Sequence, residues 1–528
     1  MTQAHLPAGL KGLHIHLVGA KGTGMAALAE ILAAKGAVLT GSDVAERFYT
    51  DDILESIGLK CLVGFDASHL GPETAVVIHS AAYRRDQNPE LLEAARRNLS
   101  ILTYPEALGE LSRRADSSGI AGVHGKTTTT AMAGSIIAAL GLPATILAGS
   151  SVASFGNRCT KIAGDRYFVA ETCEYRRHFL NFSPRRVVLT AVESDHQDFY
   201  PAYSDILAAF VDYGCSLPPS GELIYCADDP GAVEAAGLIH GRRPDIRLLP
   251  YGQKAEGPFK MLYYRAGSGI ARFRLSGLDS EFELHVPGEH LALDASAAIA
   301  LAVSLLGDFK ASSAAQTPAQ AGQKAAAAGS QGAIWCAPDA AELAAIRQSL
   351  AGFRGSKRRS EVLGEAGGIL FMDDYGHHPT AIRDTIAGIR AFWPERRIVI
   401  DFMSHTCSRT RALFPQFAAC LNGADKAVLH KIYPSAREAP DPEMNGRRLF
   451  DAVKAERDAH PEARGKSAAA IEKEPSFPDT AYYEEVMDAY PDLLRELRPG
   501  DLFLTMGAGD NFVLCEALKK AFEQKGNR

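Results

Sequence analysis

Apolar residues fall in short runs along this chain, and each run ends in a glycine turn or a polar loop. Residues 13–18 (LHIHLV) form the first run. The turn Gly19-Ala-Lys-Gly-Thr-Gly24 follows, then a helix-like stretch at 25–34. Strand-like runs recur at 37–40, just before Asp43, and at 75–80, ending on Ser80. Strand, glycine turn, helix and strand in that order predict a parallel α/β sheet. Residues 1–112 are therefore read as a Rossmann-like domain.

The same grammar restarts at 118–123, with a polar loop at 124–128 and a helix to about residue 140. Strands are expected at 167–170 and 186–191, and a helix at 292–306 (ALDASAAIALAVSLL). Residues 307–334 carry almost no large apolar side chains and are read as a flexible insertion, with helix resuming near 340. A third α/β unit begins near 355, with strands at 369–373, 398–402, 427–430 and 502–506. Residues 434–476 are charged and proline-containing, and read as surface loop with a helix inside. The second domain is drawn at 113–353 and the third at 354–528.

Length agrees, since 528 residues make about three domains. A net charge of −7, from 56 basic and 63 acidic residues, argues against a nucleic-acid partner. The nine cysteines form no CxxC pair, which fits reduced thiols in a cytoplasmic protein. The first residues do not read as a secretion signal. No apolar run reaches the roughly 18 residues of a membrane span, so no membrane insertion is expected.

Gly122-Val-His124-Gly125-Lys126-Thr127-Thr128 follows a strand and opens a helix. This is a short phosphate-cradling loop. Its glycines turn backbone N–H groups toward phosphate oxygens, and the helix N-terminus adds partial positive charge. Lys126 is expected to reach the β/γ-phosphates of ATP and the Thr127 hydroxyl to ligate Mg²⁺. The first glycine turn, Gly19-x-x-Gly22-x-Gly24, is less specific: it fits NAD, a UDP-type ligand or a plain structural turn, with Asp43 suited to a ribose or base. A second nucleotide loop in one chain tips the balance toward ATP plus a nucleotide-linked substrate.

Two acidic clusters, Glu171-Thr-Cys-Glu174 and Glu193-Ser-Asp195-His196-Gln-Asp198, follow strands, where open α/β sheets bind ligands. They suit a divalent metal beside ATP. Asp373-Asp374-Tyr375-Gly376-His377-His378-Pro379 follows another strand. Its adjacent histidines raise a zinc reading, but no third ligand is spaced nearby. Ser404-His405-Thr-Cys-Ser-Arg409 follows the next strand, and Arg409 could clamp a carboxylate or phosphate. Arg358-Arg359 could do the same.

These motifs, in order, resemble the Mur ligases: GVHGKTTTT at 122–130, DHQD at 195–198, VPGEH at 286–290, DDYGHHP at 373–379, HTCSRT at 405–410 and MGAGD at 506–510. The resemblance implies an α/β, three-domain Mur ligase architecture: a Rossmann-like N-terminal domain, a P-loop ATP-binding central domain and a Rossmann-like C-terminal domain that closes over both. It implies that Gly22, Thr23, Gly24, Asp43 and Ser80 hold UDP-N-acetylmuramate. Gly122, His124, Gly125, Lys126, Thr127, Thr128, His290, Arg359 and Asp374 would hold ATP. Thr127, Glu174 and His196 would hold Mg²⁺, and His377, His405 and Arg409 would line the amino-acid and muramyl pocket. Lys126, Glu174, His196, His377 and Arg409 would carry catalysis, with His377 a base of near-neutral pKa.

The implied reaction is ATP-dependent ligation of L-alanine to UDP-N-acetylmuramate, by a monomer or weak dimer. Two alternatives stand beside it: a ligase that recycles a tripeptide onto the same nucleotide, and a non-catalytic nucleotide-binding paralogue. The chain departs from the family pattern at several positions, of which only Leu291 and Asp294 support the second alternative. Val123 stands where Thr is usual, Leu291 and Asp294 replace two Asn, and Ser360 replaces an aromatic. Tyr104-Pro-Glu-Ala replaces an Arg-containing helix start, and Lys21 is an unusual base in the first loop, where it would suit a diphosphate.

Overall fold

The protein is described by a computed structural model covering residues 5–315, 336–434, 438, 441–461 and 478–526. Its first sheet is parallel throughout: β1 (His14–Val18), β2 (Val38–Asp43), β3 (Cys61–Val63), β4 (Val76–His79) and β5 (Ser100–Thr103), in spatial order β3-β2-β1-β4-β5. Alternation along β1 explains its burial on both faces. Ile15 and Leu17 enter one core, while Val18 enters a second with Val77 and Leu91.

The middle sheet has seven strands: β6 (Asp116–Ala121), β7 (Ala144–Val152), β8 (Arg158–Ile162), β9 (Tyr167–Glu171), β10 (Arg186–Leu189), β11 (Glu222–Cys226) and β12 (Arg247–Tyr251). Their order is β12-β11-β10-β6-β9-β7-β8, and only β8 runs antiparallel to its neighbour. A small antiparallel sheet follows, β13 (Met261–Gly267), β14 (Ile270–Leu275) and β15 (Glu281–Leu284). Sequence patterning missed it, because Arg and Glu pairs such as Arg272–Glu283 dilute its apolar alternation. The third unit holds β16 (Glu361–Ala366), β17 (Ile369–Asp374), β18 (Arg397–Phe402), β19 (Lys426–Leu429), β20 (Thr480–Tyr482) and β21 (Asp501–Met506), in order β16-β17-β21-β18-β19-β20.

Two expectations need correction. The helix expected at 292–306 runs from Glu289 to Ala315, so residues 307–315 are not an insertion. Phe309 packs against the core, Asp308 pairs with the buried Arg186, and Lys310 pairs with Glu342 at 2.6 Å. These anchors hold a segment whose composition alone looked too weak to order. Residues 316–334 of the expected insertion lie outside the described residues. The same helix also corrects the membrane reading. Glu289–Ser313 is long and apolar enough to cross a membrane, yet 78% of its most apolar window is buried inside the protein. Within 434–476, the helix Gly446–Ala459 forms, and residues 462–476 lie outside the described residues.

Candidate active site

β6 pairs in parallel with both β9 and β10, so the loops leaving their C-terminal ends open side by side. The loop after β6 turns at Gly122 (φ 138°) and Gly125 (φ 78°) before entering the helix Lys126–Ala139. Both glycines are required twice over. Their φ values disfavour side chains, and a Cβ would strike the Thr190 hydroxyl at Gly122 and the Asp294 carboxylate at Gly125. No side chain caps the helix start, so its first N–H groups face the cleft. Lys126 Nζ donates to the Gly122 carbonyl at 2.5 Å and lies 3.0 Å from Glu174. Burial opposes its charge, but Glu174 and Glu171 outweigh burial and raise its pKa.

The cleft holds about 520 Å³ and is lined from two units. From the middle unit come Lys126, Glu174 and His196; from the third come Arg359, Asp374 and His377. His196 Nε2 lies 3.2 Å from Glu174 Oε1. Burial would raise the Glu174 carboxyl, but Lys126 and His196 hold it below its ordinary value. His196 sits at φ 55°, a left-handed conformation that its N–H secures by donating to Asp195 at 2.7 Å. Thr127 donates to Glu171 at 2.8 Å. Glu171 therefore belongs with the expected cluster at the hydroxyl read as a metal ligand, although the resemblance singled out only Glu174.

A smaller chamber of about 160 Å³ adjoins the cleft, lined by His196, Tyr375, His377, His405, Arg409 and Glu438. Arg409 Nε donates to Asp195 Oδ1 at 2.8 Å, with both side chains buried. The His405 ring stands 6.3 Å from that of His377. Glu438 accepts from the backbone N–H groups of Cys407 and Ser408 and so fixes the start of their helix. No motif signal marked it. The expectation for His377 is corrected in one respect. Burial, reinforced by Arg409, pushes its pKa well below the ordinary 6.5, so it is not poised near neutrality. Its Nδ1–H donates to the Tyr375 carbonyl at 2.9 Å, which leaves Nε2 as the lone-pair nitrogen.

At the other end of the cleft, His290 Nδ1 is buried without a hydrogen-bond partner. Leu291 is buried in the core. Asp294 lies under the phosphate loop, where it accepts from Thr129 at 3.1 Å. Burial pushes its carboxyl up to about 8. Asp294 thus keeps its proton near neutral pH and presents an uncharged side chain where an Asn is usual. Arg359 lies over the Tyr375 ring at 4.9 Å. Asp374 accepts from the Ser360 and Gly376 N–H groups, both at 2.6 Å. Arg358 is turned away into an ion pair with Asp373 at 2.9 Å. The zinc reading of the adjacent histidines also changes. Folding brings Glu193 and His124 to His378, where the sequence offered no third ligand.

The first glycine loop lies on its own sheet. The Tyr83 ring packs over Gly19, and Thr23 shares a 2.9 Å hydrogen bond with Tyr49. Asp43 accepts from the Lys21 N–H at 2.8 Å and from Tyr83 at 3.0 Å. Ser80 Oγ accepts from Ala82 N–H at 3.3 Å. The Lys21 ammonium lies 3.1 Å from Asp51 and donates to the Glu46 carbonyl, so its charge is met inside the domain instead of facing the loop. Gly22 and Gly24 bracket the entry to the helix Thr23–Ala34. Gly24 touches Tyr104, and a narrow pocket of about 120 Å³ lined by Gly24, Tyr104, Glu171 and Cys173 joins this loop to the middle unit.

Comparison with known proteins fits this geometry. The profile "Mur ligase family, catalytic domain" matches residues 14–116, "Mur ligase middle domain" residues 120–302, and "Mur ligase, glutamate ligase domain" residues 358–509. A UDP-N-acetylmuramate–L-alanine ligase of Treponema pallidum is 47% identical over 525 residues, covering 99% of this chain and 100% of the relative. The protein of the same name from Borreliella burgdorferi is 36% identical over 508 residues, covering 96% and 98%. A UDP-N-acetylmuramate–alanine ligase structure from Thermotoga maritima superposes with a TM-score of 0.71 at 22% identity, covering 97% of this chain and 100% of that one. A murein peptide ligase from Psychrobacter arcticus gives 0.61 at 20% identity, covering 97% and 99%. Three profiles in order along the three sheet units, together with relatives matching over nearly the whole length, establish that this chain belongs to the Mur ligase family.

Proposed function

We propose that this protein joins L-alanine to UDP-N-acetylmuramate at the expense of ATP, a peptide-forming step of cell-wall synthesis carried out in the cytoplasm by a monomer or weak dimer. The observation that carries the reading is the meeting of Lys126, Glu174 and His196 with His377 across one cleft, with Arg409 in the chamber that adjoins it. The names of the full-length relatives from Treponema and Borreliella supply the substrates. Residues 1–112 would bind the UDP substrate through Gly22, Thr23, Gly24, Asp43 and Ser80. Residues 113–353 would bind ATP, and residues 354–528 would bring His377, His405 and Arg409 to the amino acid.

In this reading the muramyl carboxylate attacks the γ-phosphate of ATP, giving an acyl phosphate and ADP. The alanine amine then attacks the acyl carbon and phosphate departs. Phosphate is needed because a carboxylate is a poor electrophile. Lys126 neutralises charge on the transferring phosphoryl group, and Arg409 orients the muramyl or amino-acid carboxylate. Mg²⁺ would be held by Thr127, Glu174 and His196. Thr127 meets Glu171 and His196 meets Glu174 on the same cleft wall, a donor set of mostly oxygen atoms that suits such an ion. It supplies further charge neutralisation of the phosphates. His377, neutral at working pH, offers Nε2 to the amine proton.

The test is phosphate release from ATP with UDP-N-acetylmuramate, comparing L-alanine, glycine, L-serine and the wall tripeptide. Release with alanine and little with tripeptide is expected. Release with tripeptide alone would make this a recycling ligase, and none with any acceptor would make it a non-catalytic paralogue.

A further inference from the structure

Three side chains lining the cleft belong neither to the Mg²⁺ set nor to the amino-acid pocket proposed above, although one of them, His124, is part of the phosphate loop. His124 comes from the phosphate loop, Glu193 from the loop after β10, and His378 from the loop after β17 in the third unit. His124 Nε2 lies 3.5 Å from Glu193 Oε2, and His378 Nδ1 lies 3.4 Å from the same oxygen. All three donor atoms fall within 4.8 Å of one another. A tetrahedral cation with nitrogen and oxygen ligands at about 2.1 Å has ligand–ligand edges of roughly 3.4 Å. The two measured edges match that figure without movement of the backbone.

The surroundings also prepare the donors. His378 Nε2 lies 3.3 Å from the Ser194 carbonyl and donates its N–H there. That tautomer leaves Nδ1 as the acceptor nitrogen, 3.4 Å from the Thr380 N–H that it caps and 3.4 Å from Glu193 Oε2. An outer hydrogen bond of this kind, from a ligand histidine to a backbone carbonyl, orients ligands at zinc sites. Glu193 Oε2 accepts from the Thr380 hydroxyl at 2.9 Å, a second outer contact. His124 Nε2 is buried and makes no hydrogen bond. Two imidazoles and one carboxylate with an open fourth position suit Zn²⁺, and suit Mg²⁺ less well, since Mg²⁺ favours octahedral sites in which oxygen ligands predominate.

We propose that His124, Glu193 and His378 form a site for a Zn²⁺-class divalent cation that ties the phosphate loop to the third unit. The site shares no residue with the Thr127, Glu174 and His196 set. Its ligands come from two sheets, so the ion bridges parts that must separate for the cleft to open. Cation binding therefore favours the closed arrangement. The inference is independent of which amino acid is ligated.

The test uses the full chain titrated with Co²⁺, a spectroscopic stand-in for Zn²⁺, in excess Mg²⁺ to occupy oxygen-rich sites. The expected result is one equivalent of visible absorption of the tetrahedral kind, displaced by Zn²⁺. Glu193→Gln and His378→Ala should each abolish it, with circular dichroism unchanged. Thr380→Val keeps all three ligands and should weaken Zn²⁺ binding by about tenfold while retaining the band. No tetrahedral band in the wild-type protein, or a band that survives both Glu193→Gln and His378→Ala, would overturn the proposal.

Discussion

Lys126 and Glu174 lie 3.0 Å apart on the floor of the cleft, and His196 closes on the same carboxylate from the other side. One carboxylate thus faces both the phosphate-loop lysine and the histidine read as a metal ligand. Lys126→Ala removes the cation and leaves Glu174 facing His196 alone. ATP-dependent phosphate release should fall on the order of 10²–10³-fold, as when a preorganised charge-stabilising donor is deleted. Steady-state kinetics would check this, and near-normal turnover would remove Lys126 from the phosphate site.

Arg409 and Asp195 join the third unit to the middle unit through a buried ion pair at 2.8 Å. Removing one partner of a buried pair costs about 3–5 kcal/mol if the other charge stays buried. Here the units can part instead. Asp195→Ala should therefore lower kcat and shift the chain to a more open form without unfolding any unit. Small-angle scattering should register a larger radius of gyration. An unchanged radius with unchanged kcat would show that the pair does not govern closure.

Asp294 makes stability depend on pH. Its carboxyl is raised from 3.8 to about 8 by burial. Between those values the folded chain keeps a proton that the unfolded chain has lost, so stability falls as pH rises through that window. Asp294→Asn removes the ionisable group while keeping the hydrogen-bonding shape. The variant should match the wild type near pH 4 and exceed it near pH 8 by several kcal/mol, since each pKa unit is worth about 1.4 kcal/mol. Thermal unfolding at the two pH values would read this difference, and an equal gain at both would contradict the protonation assignment.

His377 should leave no titration of its own in the ordinary histidine range. Its pKa is pushed well below 6.5, so the imidazole is already neutral there. A pH profile of kcat/KM for alanine should run flat through that region as far as this residue is concerned. His377→Ala should lower the whole curve without removing an inflection near 6.5. Loss of such an inflection in the variant would show that the group titrates in the working range.

The phosphate loop was legible in the sequence because its chemistry is local: two glycines, Lys126 and Thr127 fall within six residues between a strand and a helix. The strands carrying the other motifs were legible for the same reason, each a short apolar run ending in a polar loop. The meeting of Glu193, His378 and His124 was not, since it depends on how two sheets face each other. Glu438 was missed because its contribution is to two backbone N–H groups. Residues 307–315 looked unable to order because the partners that hold them, Arg186 and Glu342, lie far away in sequence.

The long helix Glu289–Ala315 has a further consequence. It packs against Lys126–Ala139, and its Asp294 accepts from Thr129 across the seam between them. A close-packed seam of this kind works as a spacer that holds the separation of the two rods within narrow limits. That separation sets how far His290 and Asp294 stand from the phosphate loop, and so the depth available to a nucleotide base. A single added methyl in the seam would reach the cleft as displacement instead of being absorbed. The tolerance of the binding depth is therefore set by the packing of two helices behind the site.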